Sequence, residues 1–439
     1  MGAVRFKRAA SWCICVGLGL LAALPREARP DEEFSFDASA FEKRSFEFRG
    51  FAELWPEYLR SNTDGALYQL AFAGEEGRRE IVRGKAALEL EGRFTKGIAT
   101  LLLRGRSDAV WDYRGRETEH RLLEGLASLQ PKANLSLFAG KKAYRWGKGA
   151  AWNPVGFVER PKDPNDPTES REGFWTAGLD WIRSFDGALK TVALTPLVVP
   201  TVTDLNAEFG EPGHLNFAAK LYLLYRDTDL DFMLLGNGSR SARYGVDFSR
   251  NLAPNFEVHG EFAYITDFQR TEISTYPTCR TTKSGIEDVV SYLLGLRYRT
   301  ERDVSYTLEY YFNGTGNSER QQRRFYDCVH AAWERGDESL LQRLSQPSGP
   351  FVKPNPMQRY LQMRVVWNEP ADILYLAPGV QAFYNLDDHS LQLAPQVVYT
   401  GIENLELFVR VTVPVGGTGT EWGEKANDYK LDFRVRYYF

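Results

Sequence analysis

The last twelve residues, Asp428 to Phe439, read D-Y-K-L-D-F-R-V-R-Y-Y-F. Tyr429, Leu431, Phe433, Val435, Tyr437 and Phe439 alternate with Lys430, Asp432, Arg434 and Arg436. A period of two over this length is a strand with one apolar face and one charged face. Two architectures can satisfy it. A soluble sheet would bury the apolar face in a dry core. A closed barrel would turn it outward to lipid and keep the charged face in water.

The same alternation recurs along the chain. In Val82–Phe94, Gly84, Ala86, Leu88 and Leu90 oppose Arg83, Lys85, Glu89, Glu91 and Arg93. Arg243–Arg250, Phe256–Tyr264, Val304–Phe312 and Glu403–Pro414 follow the same rule. Charge on one face of so many strands is hard to reconcile with a dry core, because buried unpaired charge is costly. A water-filled lumen removes that cost. The chain has 439 residues, 43% of them hydrophobic, and a mean hydropathy of −0.40, which excludes a bundle of membrane-spanning helices. Aromatic residues make up 13%, with 22 Tyr and 10 Trp, as interfacial girdles or a carbohydrate-binding surface would require. A net charge of −4, with no basic run interleaved by aromatics, argues against a nucleic-acid partner.

Connection lengths give an independent reading. Short turns are expected at Thr95-Lys96, Pro131-Lys132, Asp186-Gly187, Thr228, Ala253-Pro254, Arg302, Pro370-Ala371 and Gly401-Ile402. Longer connections are expected at Asp108–Thr118, Tyr144–Glu172, Pro200–His214, Asp267–Ile286, Gly314–Asn355 and Gly416–Ala426. Short and long alternate, and counting back from Phe439 gives about 18 strands. The parity requires Ala66–Ala73 to lie in the first long connection. Pro378 and Pro395 fall inside strands and predict bulges or bends.

A chain that ends on an amphipathic strand with a terminal Phe resembles the closing strand of bacterial outer-membrane β-barrels. The resemblance implies an all-β, transmembrane antiparallel barrel in the outer membrane of a Gram-negative cell. It also implies contact with lipid and lipopolysaccharide, and insertion by the barrel-assembly machinery. The front of the chain fits. Arg5, Lys7 and Arg8 precede the apolar Ser11–Leu24, so residues 1–28 read as a secretory signal, 29–44 as an acidic segment and 45–439 as one barrel. No plug-sized segment precedes the first strand, so energy-coupled gated transport is not expected.

Of the four Cys, Cys13 and Cys15 lie in the leader after Trp12 and Ile14, which excludes a lipid anchor. Cys279 and Cys328 remain, in two long connections expected to be non-adjacent. In an oxidising compartment they are expected to pair. Ser318–Gln346 carries Phe325, Val329, Ala332, Trp333, Leu340, Leu341 and Leu344 at mostly helical spacing. A helical insert there could sit on the rim or fold into or over the pore.

Gly140–Trp175 is the stretch best suited to carry selectivity. Lys141, Lys142, Arg145 and Lys148 give a basic entry with no acid among them. Tyr144, Trp146, Trp152 and Phe157 are bulky for an exposed loop, and Pro154, Pro161, Pro164 and Pro167 stiffen it. Such a loop packs inside the barrel, constricting it, or on the rim. The run Gly140-Lys141, Trp146-Gly147, Gly149, Asn153-Pro154, Pro161-Lys162, Pro164, Asp166-Pro167 and Arg171-Glu172-Gly173 resembles a motif of large, mostly uncharacterised outer-membrane barrels. The strand count and arginine-bearing inner faces are more distantly similar to the alginate-export barrels.

On the inward register lie Arg104, Arg106, Lys220, Arg243, Arg297, Arg299, Arg364, Arg410, Arg434 and Arg436. Facing them are Glu89, Glu91, Asp180, Asp231, Asp247, Glu257, Glu261, Glu309, Glu406 and Asp432. These charges pair across strands to stiffen the wall, or leave a locally basic stripe at Arg104, Arg106, Arg434 and Arg436 that anions would follow. The pore or solute-contact candidates are therefore Lys141, Lys142, Tyr144, Arg145, Trp146, Lys148, Arg104, Arg106, Arg243, Arg434 and Arg436.

Catalytic chemistry finds little support. The five His lack metal-ligand spacing, and only His259, beside Glu257 and Glu261, merits attention. Asp163-Pro164-Asn165-Asp166 offers too few spaced oxygens for a calcium site. No cofactor, metal or catalytic residue is expected. The expectation is a channel for passive diffusion of small hydrophilic solutes, anions among them, with export of an acidic polysaccharide as the alternative.

Overall fold

The computed structural model describes residues 45–162, 171–236, 238–346 and 349–439. The expected leader, the acidic segment to Arg44, and the Asp163–Asp166 run lie outside the described residues.

Eighteen strands form one sheet. They are β1 (Phe46–Ser61), β2 (Glu80–Lys96), β3 (Ala99–Asp112), β4 (Gly115–Lys132), β5 (Leu135–Lys142) and β6 (Phe174–Ser184). Then come β7 (Leu189–Thr201), β8 (His214–Tyr225), β9 (Thr228–Leu235), β10 (Arg243–Ala253), β11 (Phe256–Ile273) and β12 (Thr281–Arg299). The last are β13 (Val304–Phe312), β14 (Arg359–Trp367), β15 (Leu376–Asn385), β16 (Leu391–Ile402), β17 (Leu405–Val415) and β18 (Asn427–Tyr438). Each pairs antiparallel with its sequence neighbours, and β1 also pairs with β18, so the sheet closes on itself. Ala52 stands opposite Leu88 of β2 and Tyr437 of β18. Closure leaves no edge strand.

Alternation decides inside from outside. In β18, Leu431 and Phe433 are 40% and 41% exposed, while Asp432 and Arg434 between them are 0% and 6%. Leu88 and Leu90 of β2 are likewise exposed, and Glu89 and Glu91 buried. Leu101, Leu103, Leu194, Phe232, Phe262, Leu294 and Val409 extend the apolar exterior around the ring. An exterior this apolar cannot be solvated by water. It is the surface of a membrane-spanning barrel, with its charges inside.

Short turns share one end of the barrel, the turn end, and long connections share the other, the loop end. Ala66–Ala71 forms a helix, α1, in the first loop-end connection, as strand parity requires. Turn positions differ from expectation by a residue or two: Gly97-Ile98 replaces Thr95-Lys96, and Arg226-Asp227 replaces Thr228.

Two expected long connections are strands instead. β3 and β4 run through Asp108–Thr118 and close at Tyr113-Arg114, and β11 and β12 occupy most of Asp267–Ile286. Glu117, Thr118, Glu119, His120 and Arg121 are exposed or half-buried, with polar groups on both faces, so no apolar period marked them as strand. Neither proline makes a bulge. The β16–β17 ladder runs from Leu393↔Val413 to Gln396↔Arg410 at unchanged offset across Pro395, and Pro378 pairs in register with Val397. Each omits a ladder bond without shifting register.

The insert after β13 holds two helices, α2 (Glu319–Glu334) and α3 (Glu338–Leu344). Ser318 caps α2 by accepting the Gln321 N–H. Phe325, Val329 and Ala332 recur on one face and pack with Leu340, Leu341 and Leu344 of α3 and with Ala66 and Leu70 of α1. Cys279 and Cys328 form a disulfide. They join successive loop-end connections, β11–β12 and β13–β14, not distant ones, because the turn between β12 and β13 lies at the other end.

Candidate functional site in the lumen

In its described residues, 143–162 and 171–173, the connection between β5 and β6 folds into the barrel. Its tip is held by inward carboxylates from strands far round the ring. Glu261 of β11 accepts the N–H groups of Lys148 and Gly149, each at 2.7 Å, and of Val155 at 3.4 Å. Glu309 of β13 accepts those of Ala150 at 2.5 Å and Ala151 at 2.9 Å. Lys148 Nζ lies 2.9 Å from Asp231 and 3.8 Å from Asp247, on β9 and β10. Arg297 of β12 donates to the Lys148 carbonyl at 3.0 Å. Successive N–H groups aimed at one carboxylate need a tight backbone. Gly147 supplies it with φ of +87°, where a Cβ would also strike Asn153 and Glu261.

Apolar contacts fix the same placement. Trp146, Val155, Phe157 and Val158 pack with inward Phe138, Leu197, Val199, Met233, Leu235 and Ala263. Trp152 sits among Tyr311, Phe383 and Tyr360, with ring centroids 5.1, 5.6 and 5.9 Å away, and its indole N–H donates to Asn355 at 3.2 Å.

Within the loop, buried Glu159 is the hub. It accepts the Trp146 N–H, the Asn153 amide at 3.0 Å and an Arg171 N–H. Burial pushes its carboxyl above the ordinary range, although Arg171 opposes the shift. Lys162 donates to the Gly149 carbonyl at 2.6 Å, and burial lowers its pKa. For Lys148 burial acts the same way, but Asp231 and Asp247 outweigh it and hold the ammonium charged. A cavity of about 240 Å³ opens beside the loop, its charged lining made by Arg145, Lys162 and Arg171. A smaller one lies between Arg104, Glu124, Tyr144 and Arg145.

The candidate residues fall into three groups. Arg145 is exposed, lines both cavities, and has no carboxylate partner among the described residues. Lys148, Tyr144 and Trp146 hold the loop; the buried Tyr144 hydroxyl shares a 2.8 Å hydrogen bond with Thr176. The others are wall residues. Lys141 pairs with Glu172, and Lys142 lies 3.3 Å from Asp180. Arg104 pairs with Glu124 at 3.1 Å, Arg106 with Asp108 at 2.8 Å, Arg434 with Glu406 at 3.2 Å and Arg436 with Glu53 at 2.6 Å. Arg243 stands apart near the loop end of β10, without a carboxylate partner among the described residues. The structure thus brings Arg104 and Arg145 to one cavity, and links Arg104 and Arg106 of β3 to Arg434 and Arg436 of β18 through Glu89 of β2 and Glu53 of β1.

His259 is buried, with Nε2 3.0 Å from Glu309 and Nδ1 3.3 Å from Glu257. It meets Glu257 as expected and, in place of Glu261, Glu309 on β13, because the imidazole lies over Gly295 of β12, where a Cβ would collide with the ring. Since Glu309 also binds the loop backbone, this pair serves the fastening. Glu159, Glu261 and Glu309 were not singled out by sequence as loop partners. One of five acids in a proline-rich loop and two more among the acids of the wall carry no local signal of the amides they meet.

The chain matches no protein-family model and no curated protein. Among solved structures it is similar to OccK5 (OpdH) of Pseudomonas aeruginosa, at 12% identity and a TM-score of 0.51, over 90% of this chain and 98% of that one. OccK11 (OpdR) of the same organism gives 13% and 0.49 over 89% and 96%. A triple mutant of the Rhodopseudomonas blastica porin gives 10% and 0.43 over 90% and 100%. The first likeness spans nearly the whole of both chains and shows a shared porin-like barrel fold.

Proposed function

We propose that this chain is an outer-membrane channel for passive diffusion of small hydrophilic solutes, with preference for anions. In this reading a secretory leader of residues 1–28 directs export. The barrel-assembly machinery inserts the mature chain, and lipid and lipopolysaccharide surround it. Solutes cross the lumen past the β5–β6 loop, and Arg145 is the solute-facing cation. The observation that carries the reading is the loop pinned by Glu261 and Glu309 across a charged lumen, with Arg145, Lys162 and Arg171 around its cavity. A fixed positive group in a narrow, low-dielectric passage concentrates anions. Passage down a gradient needs no transition state, so no residue is assigned to catalysis. A polyuronate exporter would need a continuous unpaired basic stripe, whereas Arg104, Arg106, Arg434 and Arg436 each lie against carboxylates.

Planar-bilayer recording tests this. Stepwise conductance is expected, with a reversal potential in a KCl gradient that favours chloride. Arg145→Gln should move that potential toward potassium without lowering the unfolding midpoint. Absence of conductance steps from correctly folded protein would sink the proposal.

A further inference from the structure

The loop end carries a cluster that the pore does not explain. His330 of α2 stands between two acceptors on two other connections. Its Nδ1 is 3.0 Å from Oε1 of Gln69 on α1, and its Nε2 is 3.0 Å from Oε1 of Glu424 between β17 and β18. A carboxylate and an amide oxygen can only accept, so the imidazolium, with both nitrogens donating, is the state that satisfies both. Glu424 is also tied to its neighbours. It accepts the Ala66 N–H at the start of α1 and the Gly419 N–H, each at 2.6 Å. Three connections therefore meet at one ion pair.

The cluster spans the loop end. α1 is fastened beyond it to the β3–β4 hairpin, where Arg114 donates to the Ala71 carbonyl at 2.8 Å. α2 is tied to the β11–β12 connection by Cys328, two residues before His330. The β17–β18 connection continues inward. Trp422 packs in the cluster that holds Trp152 of the lumenal loop, and Glu421 accepts from Tyr360 at 2.7 Å and Asn385 at 2.8 Å. A change at Glu424 therefore acts two residues from the aromatic seat of the constriction.

We infer that His330 is the catch of a lid made by α1, α2 and the β17–β18 connection, closed when the imidazole is protonated and released when it is neutral. The charges around it agree in sign. Glu424 faces it from β17–β18, Asp327 and Glu334 lie on its own helix, and α1 offers only neutral Gln69. The adjacent Lys425 is directed to Glu421 at 3.6 Å. The Glu424 hydrogen bond, against the opposing effect of burial, raises the His330 pKa above 6.5. The lid is then shut in mildly acidic medium and loosens as pH rises through that raised value. This rests on the channel reading above, and the test separates the two.

Hydrogen exchange in micelles, corrected for intrinsic rates, should be followed in residues 63–74 and 416–426 from pH 5.5 to 8.5. Protection in the unmodified protein should fall as pH climbs from about 6.5 to the raised histidine value, by at most about tenfold per pH unit, and level off above it. His330→Gln should give low protection with no such pH dependence. Glu424→Gln should keep a titration but move its midpoint to lower pH. In bilayers the same pH rise should lengthen open times, and His330→Gln should abolish that response. An unmodified protein with pH-independent protection, or a His330→Gln variant that titrates like it, overturns the catch. Titrating exchange in a protein that conducts at no pH leaves the catch standing and overturns the channel.

Discussion

A single cation holds the loop tip to two wall carboxylates. Asp231 and Asp247 are directly opposite each other on β9 and β10, both fully buried, with Lys148 between them and Lys220 3.1 Å from Asp231. Removing Lys148 leaves Asp247 without its cation beside Asp231, which keeps Lys220, in a poorly solvated place. Breaking such a pair costs about 3 kcal/mol, most of it from the orphaned partner. Lys148→Met should therefore lower the unfolding free energy by about 2–3 kcal/mol in a denaturant titration, and Asp247→Asn in the same chain should recover part of the loss. Simple addition of the two single effects would show that the groups do not interact. The ion pair at His330 obeys the same logic with pH. A histidine whose folded pKa is raised stabilises fully below 6.5 and ceases to as pH climbs through the raised value. Glu424, whose pKa is lowered with His330 as its leading partner and burial opposing, stabilises above 4.5 and ceases to as pH falls through the lowered value. The pair is strongest between those limits.

At the scale of elements, the lumenal loop is an apolar body fastened by backbone amides to acids on two other elements, β11 and β13. Glutamine at 261 or 309 keeps the shape but leaves one acceptor oxygen and places an N–H₂ against N–H donors. Each buried amide left unpaired costs about 1–3 kcal/mol. Glu261→Gln with Glu309→Gln should free the loop from the wall while the barrel stays closed. Single-channel conductance should rise and become noisier, with heat-modifiable migration on gels unchanged. Unchanged conductance would show that the loop does not narrow the path. Sequence made the barrel wall legible because each strand in the apolar band must turn alternate residues to lipid, and Leu431, Asp432, Phe433 and Arg434 obey that rule without exception. Beyond the band the rule lapses, so the tips of β3, β4, β11 and β12 read as loops. The bulk and rigidity of residues 140–175 were equally plain, because Trp and Pro are visible singly. The seat of that loop was not, since it depends on which distant strands face it after closure. Gly295 shows the difficulty: its missing side chain lets His259 reach Glu309 across a whole strand.

At the scale of the whole molecule, a barrel has no dry core to pay for its charges, so the wall neutralises most of them pairwise. Arg434 and Arg436 lie against Glu406 and Glu53, and Arg434 and Arg436 also cover the rings of Trp55 and Phe51. Arg145 belongs to no such cluster. The two kinds of cation therefore differ in what their loss does. Arg145→Gln takes one positive charge from the path and disturbs no carboxylate partner among the described residues. Arg434→Gln with Arg436→Gln uncovers Glu53 and Glu406, so the lumen gains effective negative charge and the β1–β18 closure loses its ties at Glu53. The double variant should move the reversal potential toward potassium and also lower the unfolding midpoint. The Arg145 variant should do only the first. Ionic strength separates the effects further. Between about 0.1 M and 1 M salt the screening length falls from roughly 10 to 3 Å, so both selectivity shifts should shrink toward zero. The midpoint loss should persist, because paired charges in the wall are screened far less than an exposed one. A double variant with full thermal stability would show that the wall arginines are spectators of closure, and the selectivity argument would then pass from Arg145 to the whole inner face.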